Sequence, residues 1–236
     1  MDHVGESIKA GDARWSFGGS VPKHFDQHVK KSVPLYDLGH ELIVKVSDYF
    51  LTENAVVYDI GCSTGTLIEK IAEKNAGRDL RMVGIDSQAE MIEQAKKNLS
   101  HRDNVELVAG DVLDLEFEKA DLIICFYTMQ FIHPKRRQLL FNKIYDSLNW
   151  GGGFLLFEKV RAPDARFQDL ASGLYTEFKL DQGYTPAEIV AKSRSLKGVL
   201  EPFSTQANLD LMQRAGFVDM MSIMKYVCFE GFLAVK

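Results

Sequence analysis

The residues able to do chemistry in this chain are three aspartates and one small-residue loop. The apolar run Val56-Val57-Tyr58 leads into Asp59-Ile60-Gly61-Cys62-Ser63-Thr64-Gly65-Thr66, and the helix-like Leu67-Ile68-Glu69-Lys70-Ile71-Ala72 follows. This is the layout of a strand, a turn and a helix N-terminus that holds a nucleoside. A side chain larger than Ser or Cys beside the two glycines would keep the backbone away from a ligand. The dinucleotide fingerprint reads G-x-G-x-x-G, whereas the spacing here is D-x-G-x-S-x-G. With Ser63 in the middle, the loop departs from the phosphate-cradling form and points to an uncharged or cationic nucleoside. Asp86, followed by Ser87, lies about 20 residues beyond the loop glycines, where an acid accepts hydrogen bonds from both ribose hydroxyls. In Gly110-Asp111-Val112 a carboxylate can accept from an adenine amino group while Val112 packs on the ring. Phe126-Tyr127-Thr128-Met129-Gln130-Phe131 forms an aromatic wall suited to a cationic sulfonium. Each acid alone reads as a solvated turn residue; their recurrence at successive strand ends makes them one site.

The elements that must position these residues follow from hydrophobic periodicity. From Phe25 to Leu51 the apolar residues recur at helical spacing, interrupted by Pro34, which predicts two helices. Strands are expected at Ala55–Ile60, Arg81–Asp86, Val105–Ala109, Ala120–Phe126 and Phe154–Glu158. Helices are expected at Thr66–Lys74, Ala89–Leu99 and Arg136–Leu148, the last ended by Trp150-Gly151-Gly152-Gly153. This alternation predicts an α/β fold, a doubly wound and mostly parallel sheet with helices on both faces. Residues 1–50 read as N-terminal cap helices and 51–236 as the main domain. Within it, 160–204 is a helical cap insertion with pieces around Phe167–Phe178 and Pro186–Leu196. A helix at Leu209–Ala215 and a strand pair, Met220–Tyr226 with Glu230–Val235, close the chain.

Composition narrows the function classes. The 236 residues carry a net charge of −5 with Lys and Arg scattered, so there is no electrostatic footprint for nucleic acid. No apolar run approaches the ~20 residues of a membrane span, and the N-terminus lacks a signal-peptide core, so a cytoplasmic protein is expected. Cys62, Cys125 and Cys228 are far apart and lack metal-ligand spacing, which predicts reduced thiols and no metal.

Together these residues resemble the class I S-adenosylmethionine-dependent methyltransferase family, from Ala55 to the C-terminus. The resemblance implies a Rossmann-like, seven-stranded sheet with its last strand antiparallel, and S-adenosylmethionine (AdoMet) bound over the first strand's loop. It implies Gly61, Cys62, Ser63 and Gly65 at the methionine part and Asp86 at the ribose. Asp111 and Val112 would hold the adenine, and Asp59 the loop and the amino group. Ser87, Met91, Phe126 and Gln130 complete the cofactor set. A narrower resemblance covers about Trp15 to the end. Lys31-Ser32-Val33-Pro34-Leu35-Tyr36, Thr128-Met129-Gln130-Phe131, Glu158-Lys159, Gly183-Tyr184 and Ala215-Gly216-Phe217 are similar to the carboxy-S-adenosylmethionine synthase family. That family makes carboxy-AdoMet from AdoMet and prephenate. The resemblance implies that Tyr36 closes over the cofactor and that the protein is a homodimer.

Two departures bear on the reaction. The family's Arg, nine residues after the Gly-Tyr, binds the extra carboxylate across the dimer; here that position is Ser193, with Arg194 one step later. On a helix one residue is a rotation of about 100°, so Arg194 need not point at the same place. The family's Asn at the fourth strand end is Phe126. Losing a charge-assisted contact of roughly 1.5–3 kcal/mol removes most discrimination for carboxy-AdoMet. The expectation is therefore an offshoot that transfers a methyl group to a small molecule, with Arg194 available to anchor an anionic acceptor. Such transfer is an in-line displacement needing positioning and desolvation, and a base only if the acceptor arrives protonated. Among His24, His28, Tyr127, Glu158, Tyr175, Tyr184, Arg194 and Tyr226, the catalytic candidates taken forward are Tyr184, Arg194 and Tyr175. Carboxy-AdoMet synthesis is the alternative, and a non-catalytic AdoMet-binding protein the third reading.

Overall fold

The computed structural model describes residues 2–3, 9–13, 15–19 and 21–236. The short strands β1 (Asp2–His3) and β2 (Lys9–Ala10) pair with each other. Two helices follow, α1 (Val21–Ser32) and α2 (Tyr36–Ser47), separated around Pro34 as expected. Strand-helix alternation then runs β3 (Val56–Ile60), α3 (Thr66–Lys74), β4 (Arg81–Asp86), α4 (Ala89–Asn98), β5 (Val105–Ala109) and β6 (Ala120–Phe126). It continues with α5 (Pro134–Ser147), β7 (Leu148–Lys159), α6 (Ala165–Asp181), α7 (Pro186–Ser195) and α8 (Thr205–Ala215). The strands β8 (Asp219–Tyr226) and β9 (Phe229–Val235) close it.

The seven-stranded sheet has the order β5-β4-β3-β6-β7-β9-β8. Its pairs are parallel from β5 to β7, and β9 runs antiparallel to both neighbours. The chain builds outward from β3 in one direction and then from β6 in the other, so the crevice at their carboxyl ends is the topological switch point. Both faces of the central strands are covered, which is why β6 reads as an almost unbroken apolar run. Ile43 of α2 and Leu67, Ile68 and Ile71 of α3 pack on one face. Leu140, Phe141 and Ile144 of α5, with Leu211 and Met212 of α8, pack on the other.

One boundary differs from the sequence expectation. β7 starts at Leu148, directly after α5, and runs through Trp150-Gly151-Gly152-Gly153 instead of beginning after them. Its register on β6 shifts between Ala120 and Leu122, and Gly151 has φ of 81°. The glycines supply a bulge within a strand, not a turn before one. The segment 160–204 leaves and rejoins the sheet at a single place, because Arg161 bridges to Ser204 and its N–H donates to the Phe203 carbonyl at 2.9 Å.

Beneath the switch point, rings pile up where two glycines make room. Phe157 of β7 lies against Gly231 of β9, its register partner, and Phe126 lies against Gly39 of α2. The Phe126 ring is 5.1 Å from both Phe157 and Tyr36 and 4.6 Å from His40. A Cβ on Gly231 would stand 2.5 Å from Cε1 of the fully buried Phe157. Gly231→Ala should therefore cost about 1–3 kcal/mol, the usual range for overpacking. Urea unfolding checks this, and an unchanged midpoint would refute the packing assignment.

Candidate active site

A cavity of about 480 Å³ opens at the carboxyl ends of β3, β4, β5 and β6. Gly61 and Cys62 donate their N–H groups to the Ile85 carbonyl at 2.7 and 3.0 Å, which sets the first loop against β4. Asp86 then holds that loop from the side. One carboxylate oxygen accepts from Ser63 N–H at 3.0 Å and the other from Gln88 N–H at 2.9 Å. Gly61 has φ of 78°, and a Cβ there would run into the Thr128 side chain, so only glycine fits. From outside the sheet, Asp26 of α1 accepts from the hydroxyls of Thr64 (3.1 Å) and Thr66 (3.2 Å), at the start of α3. That anchor was not read from the sequence, because nothing local links Asp26 to residues 38 and 40 positions away.

Most of the expected cofactor residues line this one cavity: Tyr36, Asp59, Gly61, Cys62, Ser63, Asp86, Ser87, Met91, Asp111, Val112, Phe126 and Gln130. Gly65 does not. Its φ is 80°, and a Cβ would stand 2.6 Å from Leu99, the residue after α4, and 3.4 Å from Ala95 within it, so this glycine serves close packing between α3 and α4. Gln130 lines the wall, but both ends of its amide hold backbone. Nε2 donates to the Tyr127 carbonyl at 3.2 Å and Oε1 accepts from Lys159 N–H at 2.9 Å. Asp111 pairs with Arg136 at 2.6 Å, which holds its carboxyl below the ordinary range.

Asp59 is buried and has no hydrogen-bond partner for its carboxylate among the described residues. Burial, reinforced by Asp86, pushes its pKa to about 7. An acid in this position is ready for a cationic donor. Around it Tyr36, Phe126 and Tyr127 form the aromatic wall, and burial lifts the Tyr36 and Tyr127 hydroxyls far above their ordinary range. An unpartnered acid, a loop with no room for a Cβ and an acid at the second strand end together fit AdoMet.

The three catalytic candidates separate. Tyr175 lines the cavity and donates its hydroxyl to the Ser32 carbonyl at 2.8 Å. Tyr184 is buried behind the lining, its hydroxyl 3.0 Å from Ser32 Oγ and 3.5 Å from His28 Nδ1. Arg194 is exposed, like Ser193, and lines nothing of this chain's cavity, because α7 turns it outward. Lys192 is the α7 cation that the cavity receives, bonded to His28 Nε2 at 2.6 Å and Ser32 Oγ at 2.5 Å. The other candidates divide as well. His28 and Tyr127 line the cavity, whereas His24 and Tyr226 are exposed and Glu158 is buried outside it. Sequence reasoning also missed Lys159, Trp15, Phe17 and His40, all in the lining. Lys159 was visible only as part of the Glu158-Lys159 motif.

Comparison with known proteins follows this geometry. Residues 57–152 match a family model described as "Methyltransferase domain". The chain is 35% identical over 227 residues to the carboxy-S-adenosyl-L-methionine synthase of Staphylococcus epidermidis, covering 94% of this chain and 97% of that protein. It is 34% identical to the Campylobacter lari protein of the same name, covering 95% and 96%. The chain belongs to the carboxy-S-adenosyl-L-methionine synthase family. Solved structures of similar fold include human N-acetylserotonin methyltransferase in complex with SAM, with a TM-score of 0.63 at 20% identity. The alignment covers 92% of this chain but 56% of that one, so the chain spans little over half its length. PigF with SAH has a TM-score of 0.63 at 20% identity, covering 92% and 59%. The expectations of a class I fold, of an AdoMet enzyme of the methyltransferase type and of this family are met.

The buried acids make stability depend on pH. Burial raises Glu158 to about 8, against the opposing pull of Arg137 and the Gln130 and Met129 N–H groups, and raises Asp59 to about 7. A carboxyl raised in the folded state keeps its proton after the unfolded chain has lost it. Stability therefore falls as pH rises from the ordinary carboxyl range to about 8, and these two groups add no further slope above that. Glu158→Gln keeps an acceptor for the two N–H groups and should flatten the decline. Urea midpoints at acid, neutral and alkaline pH test this; equal slopes in both proteins would refute it.

Proposed function

We propose that the chain transfers the methyl group of AdoMet to a small molecule, as an offshoot of the carboxy-AdoMet synthase family. The observation that carries this reading is on α7. Ser193, a side chain with no positive charge, stands where the family resemblance places the carboxylate-binding Arg, and Arg194 lies one position further along the helix. At the fourth strand end the Phe126 ring, packed between Tyr36 and Phe157, fills the place of the family's Asn. A methyl group needs no charged partner, and an aromatic wall suits it. AdoMet supplies an activated methyl group on a sulfonium. The protein binds it through the Gly61–Ser63 loop, Asp86 and Asp111 with Val112, and holds its amino group at Asp59. Phe126, Tyr127 and Tyr36 exclude water and stabilise the sulfonium through their ring faces. The lining continues past these residues to Tyr175, Lys159 and Lys192, which leaves space for an acceptor. Tyr184 acts as a positioning residue through Ser32.

Carboxy-AdoMet synthesis is the second reading, supported by the nearly full-length likeness to proteins of that name. Lys192, one residue before Ser193 and within the cavity, offers a cation for it. Incubation with AdoMet and prephenate, read by product mass, separates the two. Methyl transfer predicts S-adenosylhomocysteine with an acceptor panel and no carboxy-AdoMet; carboxy-AdoMet ends the preferred reading.

A homodimer goes with this proposal. On α6, Phe167, Leu170 and Leu174 are exposed at helical spacing and suit a second copy of the chain. The partners are small molecules and not nucleic acid or membrane, as the acidic charge supports. Three buried free thiols suit a reducing cytoplasm.

Asp86→Ala should weaken S-adenosylhomocysteine binding about a hundredfold, since it removes charge-assisted bonds to the ribose and the brace on Ser63. Unchanged calorimetric affinity would overturn the ribose assignment.

A further inference from the structure

The wall of the cavity formed by β7, α6 and β9 departs from what stability alone would select. Lys159, the last residue of β7, lines the cavity, and its ammonium stands 4.1 Å from the centroid of the Tyr175 ring and 6.0 Å from that of Phe229. Lys179 of α6 is buried, and its ammonium stands 4.4 Å from the centroid of the same Tyr175 ring. Neither ammonium forms an ion pair or a hydrogen bond among the described residues. The titratable neighbours acting on Lys159 are Cys228 and Arg161, those acting on Lys179 are Lys159 and Cys228, and none is a carboxylate. Burial holds Lys159 below the ordinary lysine range, and burial together with Lys159 brings Lys179 to about 8. The same wall holds Tyr127, whose buried hydroxyl has no hydrogen-bond partner among the described residues and whose φ is 58°. Two ammoniums answered by ring faces and by no anion, beside an orphan hydroxyl, make this wall receptive to an anionic ligand.

We infer that Lys159, backed by Lys179 against the Tyr175 ring, is an anion subsite that receives a carboxylate of the acceptor. This rests on the proposed methyl-transfer reading and names the acceptor's class: a small carboxylate with an apolar or aromatic body. The cavity separates charge to suit it. Asp59, Asp86 and Asp111 occupy the strand ends assigned to AdoMet, and the ammonium of Lys159 occupies the wall beside Tyr175 and Phe229. An anion there relieves the repulsion between the two lysines, and the rings of Tyr175 and Phe229 cover its apolar part. A hydrogen bond from Tyr127 would give the orphan hydroxyl its partner. The methionine carboxylate of AdoMet is the other possible source of such an anion, and the experiment distinguishes the two.

The probe is benzoate, with benzamide as its neutral counterpart, titrated calorimetrically into protein saturated with S-adenosylhomocysteine. Benzoate should bind at least tenfold tighter than benzamide. Lys159→Met should weaken benzoate at least tenfold while S-adenosylhomocysteine affinity stays within twofold, and Lys159→Arg should restore most of the loss. Lys179→Met should weaken benzoate to a smaller extent and raise the thermal midpoint, since it removes a buried cation; this variant guards against a fold defect in the first. Equal binding of benzoate and benzamide, or benzoate affinity untouched by Lys159→Met, overturns the subsite. Lys159→Met that weakens S-adenosylhomocysteine instead assigns Lys159 to the cofactor's carboxylate and also overturns it. Binding of S-adenosylhomocysteine without benzoate ends the subsite alone, whereas failure of the wild-type protein to bind S-adenosylhomocysteine ends the underlying reading.

Discussion

Everything at the ligand end of the sheet depends on one carboxylate. Asp86 accepts from Ser63 N–H with one oxygen and from Gln88 N–H with the other, so it ties the loop after β3 to the turn after β4. Gly61, with its left-handed backbone, can take up that position only because it has no side chain to meet Thr128. The loop's shape is thus set from two neighbouring strands, not by its own residues. A carboxylate has lone pairs to spare, so the brace leaves Asp86 able to accept from a ligand as well. On the proposed reading, structure and recognition use the same group, which puts the second strand end at the centre of the site.

The strand ends were legible because their signals are local. An apolar run with an acid close to a glycine or serine at its end is confined to a few positions, and β3, β4 and β5 carry it, whereas β6 ends in aromatic residues. Gly65 was read as a ligand glycine because sequence spacing cannot say which side of a turn faces a neighbouring helix; Leu99 decides that. The glycines after Trp150 were read as a turn, since a bulge and a turn ask for the same residues. Helical rotation was enough to turn Arg194 away from the cavity, yet nothing in the sequence said that Lys192 would face into it. Lys159, Lys179 and Tyr175 come from two elements separated by the start of the insertion, so only the packed chain brings them together.

The aromatic pile sets how far the family pattern can be altered. Replacing a polar residue by Phe126 at a buried strand end demands space, and Gly39 and Gly231 provide it on either side of the stacked rings. The substitution is therefore distributed over α2, β6, β7 and β9. A single reversal to a small polar side chain would leave a void among rings packed at close to organic-crystal density. On the proposed reading, selectivity at the sulfonium is then built into the core, which makes it costly to revise one residue at a time.

The helix α1 is fastened at both ends to parts of the cavity with different duties. Asp26, near its beginning, holds Thr64 and Thr66 beside the cofactor loop, and Ser32, at its end, accepts from Tyr175 and bonds Lys192 beside the acceptor wall. On the proposed reading, a helix fastened to both binding regions couples their occupancies wherever a ligand helps to seat it. Whatever free energy one ligand contributes to seating the helix is already spent when the other arrives, and by reciprocity each raises the other's affinity by the same factor.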